Sequence, residues 1–95
     1  MQYLVLIHNN ADSSPTSEDW EAFLRKAVDS GMFRGGSAIG SRTRIGSKEV
    51  PDSTRTIGGY MRFDTDRPET LVQLLEKHPT VARGGSIELL ELPVT

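Results

Sequence analysis

His8 is one of only two histidines in the chain, and it sits at a point where the sequence changes character. It follows YLVLI, an apolar run at 3–7, and is the first residue of the polar segment HNNADSS. An imidazole titrates near pH 6.5, so it can act as a general base at neutral pH. A carboxylate such as Asp12 or Asp52 could meet His8 across the end of a strand. His8 could contact a ligand, or it could simply be the polar residue at which the strand leaves the core.

His78 is the second histidine, and it stands directly before Pro79 in EKHPTVARGGSIELLEL. A residue before proline is biased away from helical backbone, which indicates that a helix ends here. A protonated imidazole interacts favourably with the free carbonyls of a helix end, whereas burial would lower its pKa. We predict a structural role for His78 rather than a catalytic one.

Basic and aromatic side chains in the middle of the chain form a second group of candidates. On the predicted strands, alternation places the side chains of Arg42, Arg44 and Arg62 on the same face of the sheet. Tyr60 lies on that face together with Arg62. Arginine binds carboxylates in bidentate fashion, so these residues could form the wall of a pocket for a small anion. The alternative for Arg42 and Arg44 is a solvated edge strand. The ligand-binding candidates are therefore His8, Tyr60, Arg44, Arg62, Asp52 and His78.

Composition excludes several classes of function. The chain has no cysteine, which rules out disulfides and thiolate sites, and its formal charge is −2, which does not favour nucleic acid. The spacing of the two histidines does not require a metal ion, so we predict neither metal nor cofactor. The opening apolar run is too short to span a membrane. The sequence predicts a single cytoplasmic domain over residues 1–95.

Periodicity predicts six elements in the order β-α-β-β-α-β. Strands are expected at 3–7, 35–45, 54–63 and 86–92, and helices at 17–30 and 66–78. Asp66 and Glu69 have the spacing of a capping box at the start of the second helix. The glycine pair 58–59 is expected to allow a bulge or close packing under Trp20. This order is typical of a ferredoxin-like α+β fold, an antiparallel four-stranded sheet with two helices on one face.

The first and last strands are apolar on both faces, which two helices on one face cannot explain. Tyr3, Val5 and Ile7 alternate with Leu4 and Leu6 in the first strand. A bare apolar sheet face indicates an interaction surface. A second copy packed face to face is the economical solution, so we predict a homodimer.

Several stretches resemble the YCII-related family, especially its DGPF branch. They are YLVLIH, a first helix with Trp20 and Phe23, IGGYMRFDTD, the HP dipeptide and GGSIELLELPV. The resemblance implies a ferredoxin-like domain that pairs into a dimeric α+β barrel. Some members are suspected enzymes with a histidine in the first helix and an aspartate before the proline that ends the second. Here 17–30 contains no histidine, His78 replaces that aspartate, and VPDS, with Asp52, stands where the DGPF signature would be.

Two functions follow from these observations. The first is a non-catalytic or accessory homodimer that binds a small anionic or aromatic ligand, favoured by the missing family residues. The second is a small enzyme that uses acid–base chemistry on a small organic acid or aromatic near His8 and Tyr60. Whether the chain is an enzyme is left open by its sequence.

Overall fold

The computed structural model describes residues 1–94 and contains four strands and three helices within them. The elements are β1 (Gln2–His8), α1 (Ser17–Asp29), β2 (Phe33–Ala38), β3 (Ile57–Asp64), α2 (Pro68–Leu75), α3 (Pro79–Ala82) and β4 (Ile87–Leu92). A 3-10 turn, Ser53–Thr56, leads into β3. No helix in this part of the chain has both the length and the apolar character needed to cross a membrane.

The four strands form one antiparallel sheet in the order β2-β3-β1-β4. This order and the two long helices confirm the predicted ferredoxin-like α+β fold. The central pair is β1 and β3, in which Val5 lies opposite Met61. The register shifts between Ile7 and His8, so that Gly58 is the extra residue of a bulge. The predicted bulge in the third strand is therefore confirmed.

The two faces of the sheet differ in burial, as the alternation predicts. On the inner face, side chains of β1 and β3 pack with the helices in one core, which includes Val5, Phe63, Phe23, Ala27, Leu71 and Leu75. The outer face is not covered by a helix. It carries Leu4 and Leu6 at the centre, Tyr60 and Arg62 on β3, and Glu88 and Leu90 on β4.

Local hydrogen bonds fix the ends of α1. Thr16 Oγ1 accepts from the Asp19 N–H at 3.1 Å, and Asp19 accepts from the Thr16 N–H at 3.0 Å, which is a capping box. At the other end Gly31 has φ 75°, the left-handed conformation that glycine adopts most easily. Asp19 also forms an ion pair with Arg83 at 2.7 Å, which ties the start of α1 to the turn before β4.

Two strand boundaries differ from the sequence prediction. β2 covers Phe33–Ala38 rather than 35–45, because its partner β3 begins only at Ile57. Ala38 lies opposite Gly59, and Ile39 donates one last hydrogen bond to the Gly58 carbonyl before the chain leaves the sheet. Residues 54–56, predicted as strand, belong to the 3-10 turn instead.

The predicted second helix is divided into two. α2 begins at Pro68 with Arg67 as its N-cap residue, so the predicted capping box of Asp66 and Glu69 is wrong. Pro68 determines this start, because its fixed φ suits the first helical turn and its missing N–H costs nothing there. α2 ends at Leu75, and α3 follows from Pro79.

Candidate functional site

A cleft of about 650 Å³ opens on the inner face between α1 and the β2–β3 side of the sheet. Trp20 and Leu24 of α1 form one wall, and Ile7 and Met61 contribute from the central strands. The volume is within the usual range for small-molecule sites, which is roughly 300–1,000 Å³. The cleft is thus large enough for a small organic molecule.

Glycines on β2 and β3 leave part of this cleft without side chains. A Cβ added at Gly36 would collide with the carbonyl oxygen of Tyr60, and one at Gly58 would collide with the Asn9 side chain. A Cβ at Gly59 would lie 3.2 Å from the carbonyl oxygen of Ser37. Close packing of the two strands therefore requires glycine at position 36, and the glycines together leave main chain lining part of the cleft.

The sequence left two interpretations of the glycine pair open, a bulge or close packing under Trp20, and the structure shows the bulge without the close packing. Trp20, Gly58 and Gly59 all line the same open cleft, so empty space lies where tight packing was expected. Residue type alone does not reveal the gap. The sequence contained one indication of a cleft, namely two predicted strands with glycine pairs in a chain with a single tryptophan.

The chemistry of the lining is apolar with a few neutral polar groups, which Asn9, Ser37 and Thr80 supply. Among the residues that line the cleft within 1–94, Tyr60 alone has an ionisable side chain. Tyr60 alternates along β3 with the buried Gly59 and Met61, so its phenol leaves the sheet on the outer face. The arrangement can hold a flat apolar molecule but presents it with no acid or base.

His78 lies directly behind two residues of the cleft. It has 0% exposure, and its Nδ1 accepts a hydrogen bond from the Thr80 N–H at 3.1 Å. Its ring meets Trp20 and Phe23 edge to face, with centroid distances of 4.9 and 4.8 Å. Both Trp20 and Thr80 line the cleft, whereas His78 itself does not.

The predicted position of His78 at a helix C-terminus is wrong. His78 is the N-cap residue of α3, so it faces free N–H groups rather than free carbonyls. Burial disfavours the charged ring and lowers the pKa of His78 from 6.5 to about 4. The imidazole is therefore neutral at physiological pH.

His8 is on the outer face, away from the cleft. Its Nε2 lies 2.5 Å from Glu88 Oε1, and its Nδ1 lies 3.2 Å from Thr56 Oγ1. The carboxylate partner is thus Glu88 rather than the predicted Asp12 or Asp52. The reason is cross-strand geometry, since Glu88 lies opposite Leu6 on the same face as His8.

The predicted wall of arginines on one sheet face does not form. Because β2 ends at Ala38, Arg42 and Arg44 lie in the loop at 39–52. Arg42 binds Asp52 at 3.0 Å and Thr54 at 2.6 Å within this loop region. Arg62 is on the outer face of β3, where it lies opposite Leu4.

The six predicted candidates are consequently divided among three places. His8, Tyr60 and Arg62 share the outer face, Arg44 and Asp52 belong to the loop, and His78 is in the core. Sequence reasoning missed Asn9 and Leu24 as cleft residues. Leu24 is on the apolar face of α1, but the 38% exposure that distinguishes it from a core residue is visible only in the structure.

No group of three or more histidine, aspartate or glutamate side chains comes together within 1–94 in a way that could hold a metal ion. Asp19 is the charged residue with the best-defined environment. A hydrogen bond from the Thr16 N–H, and then one from Arg83, hold the pKa of its carboxyl below the usual value. Asp19 thereby fixes the start of α1. The next residue, Trp20, lines the cleft.

Comparisons with known proteins identify a fold but no family. No protein family matches the chain by sequence, and no curated protein matches it. A similar solved structure is 5-chloro-2-hydroxyhydroquinone dehydrochlorinase from Burkholderia phenoliruptrix in complex with 2,5-dihydroxybenzoquinone. The TM-score is 0.57 at 13% identity, over 98% of this chain and 94% of that chain. At such low identity the likeness supports the ferredoxin-like fold alone.

Proposed function

We propose that this chain is a cytoplasmic, YCII-related homodimer that binds a small, flat aromatic molecule without converting it. The observation that carries the proposal is the cleft of about 650 Å³ between Trp20 and the glycines of β2 and β3. An indole and bare main chain in the same cleft suit a planar ring, which stacks favourably on an aromatic side chain. The absence of an acid or base from the described lining favours binding over catalysis.

An aromatic ligand fits the lining better than an anionic one. No arginine or lysine is among the described residues that line the cleft. A buried anion would need such a partner, because an uncompensated charge is costly away from water. The structural neighbour named above holds a dihydroxybenzoquinone, which is also a flat ring. The two proteins need not share a ligand at their level of identity.

The homodimer is proposed from the outer face of the sheet. Leu4 and Leu6 lie there in β1, and Leu90 in β4 is 38% exposed. A second copy would bury these side chains and could pair Arg62 of one copy with Glu88 of the other. We expect sedimentation to give about twice the chain mass of 10.5 kDa.

A matched pair of variants tests this interface. Leu90→Glu places a charge on the outer face and should give a monomer. Val28→Glu places the same charge on α1, at a position that is 63% exposed, and should leave the dimer intact. A wild-type protein that sediments as a monomer would exclude the proposed homodimer.

The binding proposal is tested with the single tryptophan of the chain, which lines the cleft. We expect flat aromatic compounds such as indane to change Trp20 fluorescence and to give a binding isotherm by calorimetry. Leu24→Glu puts a charge at the cleft wall and should abolish binding, whereas Val28→Glu, one turn later on α1, should not. If wild-type protein binds no compound in a panel of small aromatics, the proposed function is wrong.

A second candidate is a small enzyme that uses acid–base chemistry at His8. The 2.5 Å contact between His8 Nε2 and Glu88 favours it, because a paired imidazole and carboxylate can hold and move a proton. If this candidate is right, a compound that binds should be converted by wild type and bound but left unchanged by His8→Gln. The absence of turnover for every compound that binds would exclude it.

A further inference from the structure

One buried polar atom has no hydrogen-bond partner among the residues that the structure describes, and it is Nε2 of His78. The whole residue has 0% exposure, so water does not reach this atom either. Buried polar groups in proteins are nearly always hydrogen-bonded, and each exception calls for an explanation. The neighbouring cleft offers one.

The hydrogen bond at the other ring nitrogen shows which atom carries the proton. Nδ1 accepts from the Thr80 N–H, so Nδ1 is unprotonated. In a neutral imidazole the proton must then be on Nε2. The orphan atom is therefore a hydrogen-bond donor, held in a fixed orientation by the start of α3.

The requirement for an N-cap at α3 does not explain this donor. Aspartate, asparagine or serine would cap the helix equally well and would bury no ring N–H. The rings of Trp20 and Phe23 surround the imidazole edge to face, and an aromatic face is at best a weak acceptor. The capping role accounts for Nδ1 and leaves Nε2 unaccounted for.

Trp20 stands between the His78 ring and the cleft. Its ring contacts His78 on one side and lines the cleft on the other. The residue is only partly buried, and the open space of the cleft lies directly beside it. Displacement of this one side chain would bring the His78 ring within reach of a molecule in the cleft.

We propose that His78 is a ligand-binding residue gated by Trp20, and that the ligand is a flat ring that carries an acceptor oxygen, such as an aromatic ketone or quinone. The proposal rests on the proposed function, since it names the chemistry of the molecule that the same cleft takes. The ring stacks on the displaced indole and its carbonyl accepts the hydrogen bond from Nε2. The buried donor then has a partner only when the ligand is bound.

Two probes of the same shape test the proposal, namely 1-indanone, which has a carbonyl oxygen, and indane, which lacks it. Calorimetry gives the affinity of each for wild type and for His78→Leu, which keeps the size of the side chain and removes the donor. We expect His78→Leu to lower the affinity for 1-indanone relative to indane about five- to tenfold, the value of one neutral hydrogen bond. His78→Gln, which restores a donor, should recover part of this ratio.

A measurement on wild type keeps the test valid if His78→Leu does not fold. The ring nitrogen and Nε2–H resonances of His78 should shift with 1-indanone and stay in place with indane. An unchanged affinity ratio, or equal shifts with both probes, would overturn the role of His78 while leaving the cleft as a binding site. If neither probe binds wild type, the proposed function itself fails.

Discussion

The substitution His78→Asn should remove a large pH dependence of stability. In the folded chain His78 is neutral, because burial lowers its pKa to about 4, whereas the unfolded residue titrates near 6.5. Between these values the unfolded state binds a proton that the folded state does not. The free energy of unfolding therefore rises with pH across this window, and falls as pH is lowered from 6.5 towards 4.

The size of the effect follows from the two pKa values. Linkage predicts a loss of about 2 kcal/mol between pH 7 and pH 5, and up to about 3 kcal/mol in full below pH 4. The first interval is the more informative, because most carboxylates are still ionised above pH 5.

Urea denaturation at pH 7 and pH 5 measures this difference directly. Asparagine preserves the N-cap acceptor for the Thr80 N–H, so α3 should still form in His78→Asn. We expect the variant to lose roughly 1–3 kcal/mol at pH 7 from lost packing, but to show a much smaller change between the two pH values. Gly36→Ala, which destabilises the fold without changing a titratable group, serves as the control and should keep the wild-type pH dependence. A variant at position 78 with the same pH dependence as wild type would refute the buried neutral imidazole.

Two further pairs of variants test the local structure by urea denaturation. Thr16→Ala should cost about 1 kcal/mol of stability, because it removes the capping box of α1. Asp66→Ala should change stability by less than about 0.5 kcal/mol, since Arg67 and not Asp66 is the N-cap residue of α2. Equal losses would contradict these helix starts. Gly36→Ala should destabilise by more than about 1 kcal/mol because its Cβ meets the Tyr60 carbonyl, whereas Gly40→Ala, with no atom within 4 Å, should be close to neutral. A tolerated Gly36→Ala would contradict the close approach of β2 and β3.

The order of elements and the two faces of the sheet could be predicted from sequence because both depend on local alternation. Val5 and Met61 are on the inner face, and Leu4 and Arg62 on the outer face, as their positions along each strand require. The sequence pattern alone could not decide whether α2 begins at residue 66 or at residue 68. Asp66 and Pro68 are both good start signals, and the proline determined the result.

Most of the candidate site could not be predicted from the sequence, because it depends on contacts between residues that are far apart in the chain. His78 and Trp20 are far apart in the chain, and nothing local shows that their rings meet. His78 and Pro79 read as the end of one helix, whereas they begin another. The arginines were misplaced for a related reason, since the end of β2 depends on where its partner β3 begins.

The central claim is that the cleft beside Trp20 binds a flat aromatic molecule, and a two-dimensional NMR titration with 1-indanone tests it most directly. We expect the largest shifts at the Trp20 indole N–H and at the amides of Gly58 and Gly59, which line the cleft. The amides of Arg44 in the loop and of Leu90 on the outer face should be unaffected. Shifts confined to the outer face, or no shifts at all at millimolar 1-indanone, would contradict this assignment of the binding site.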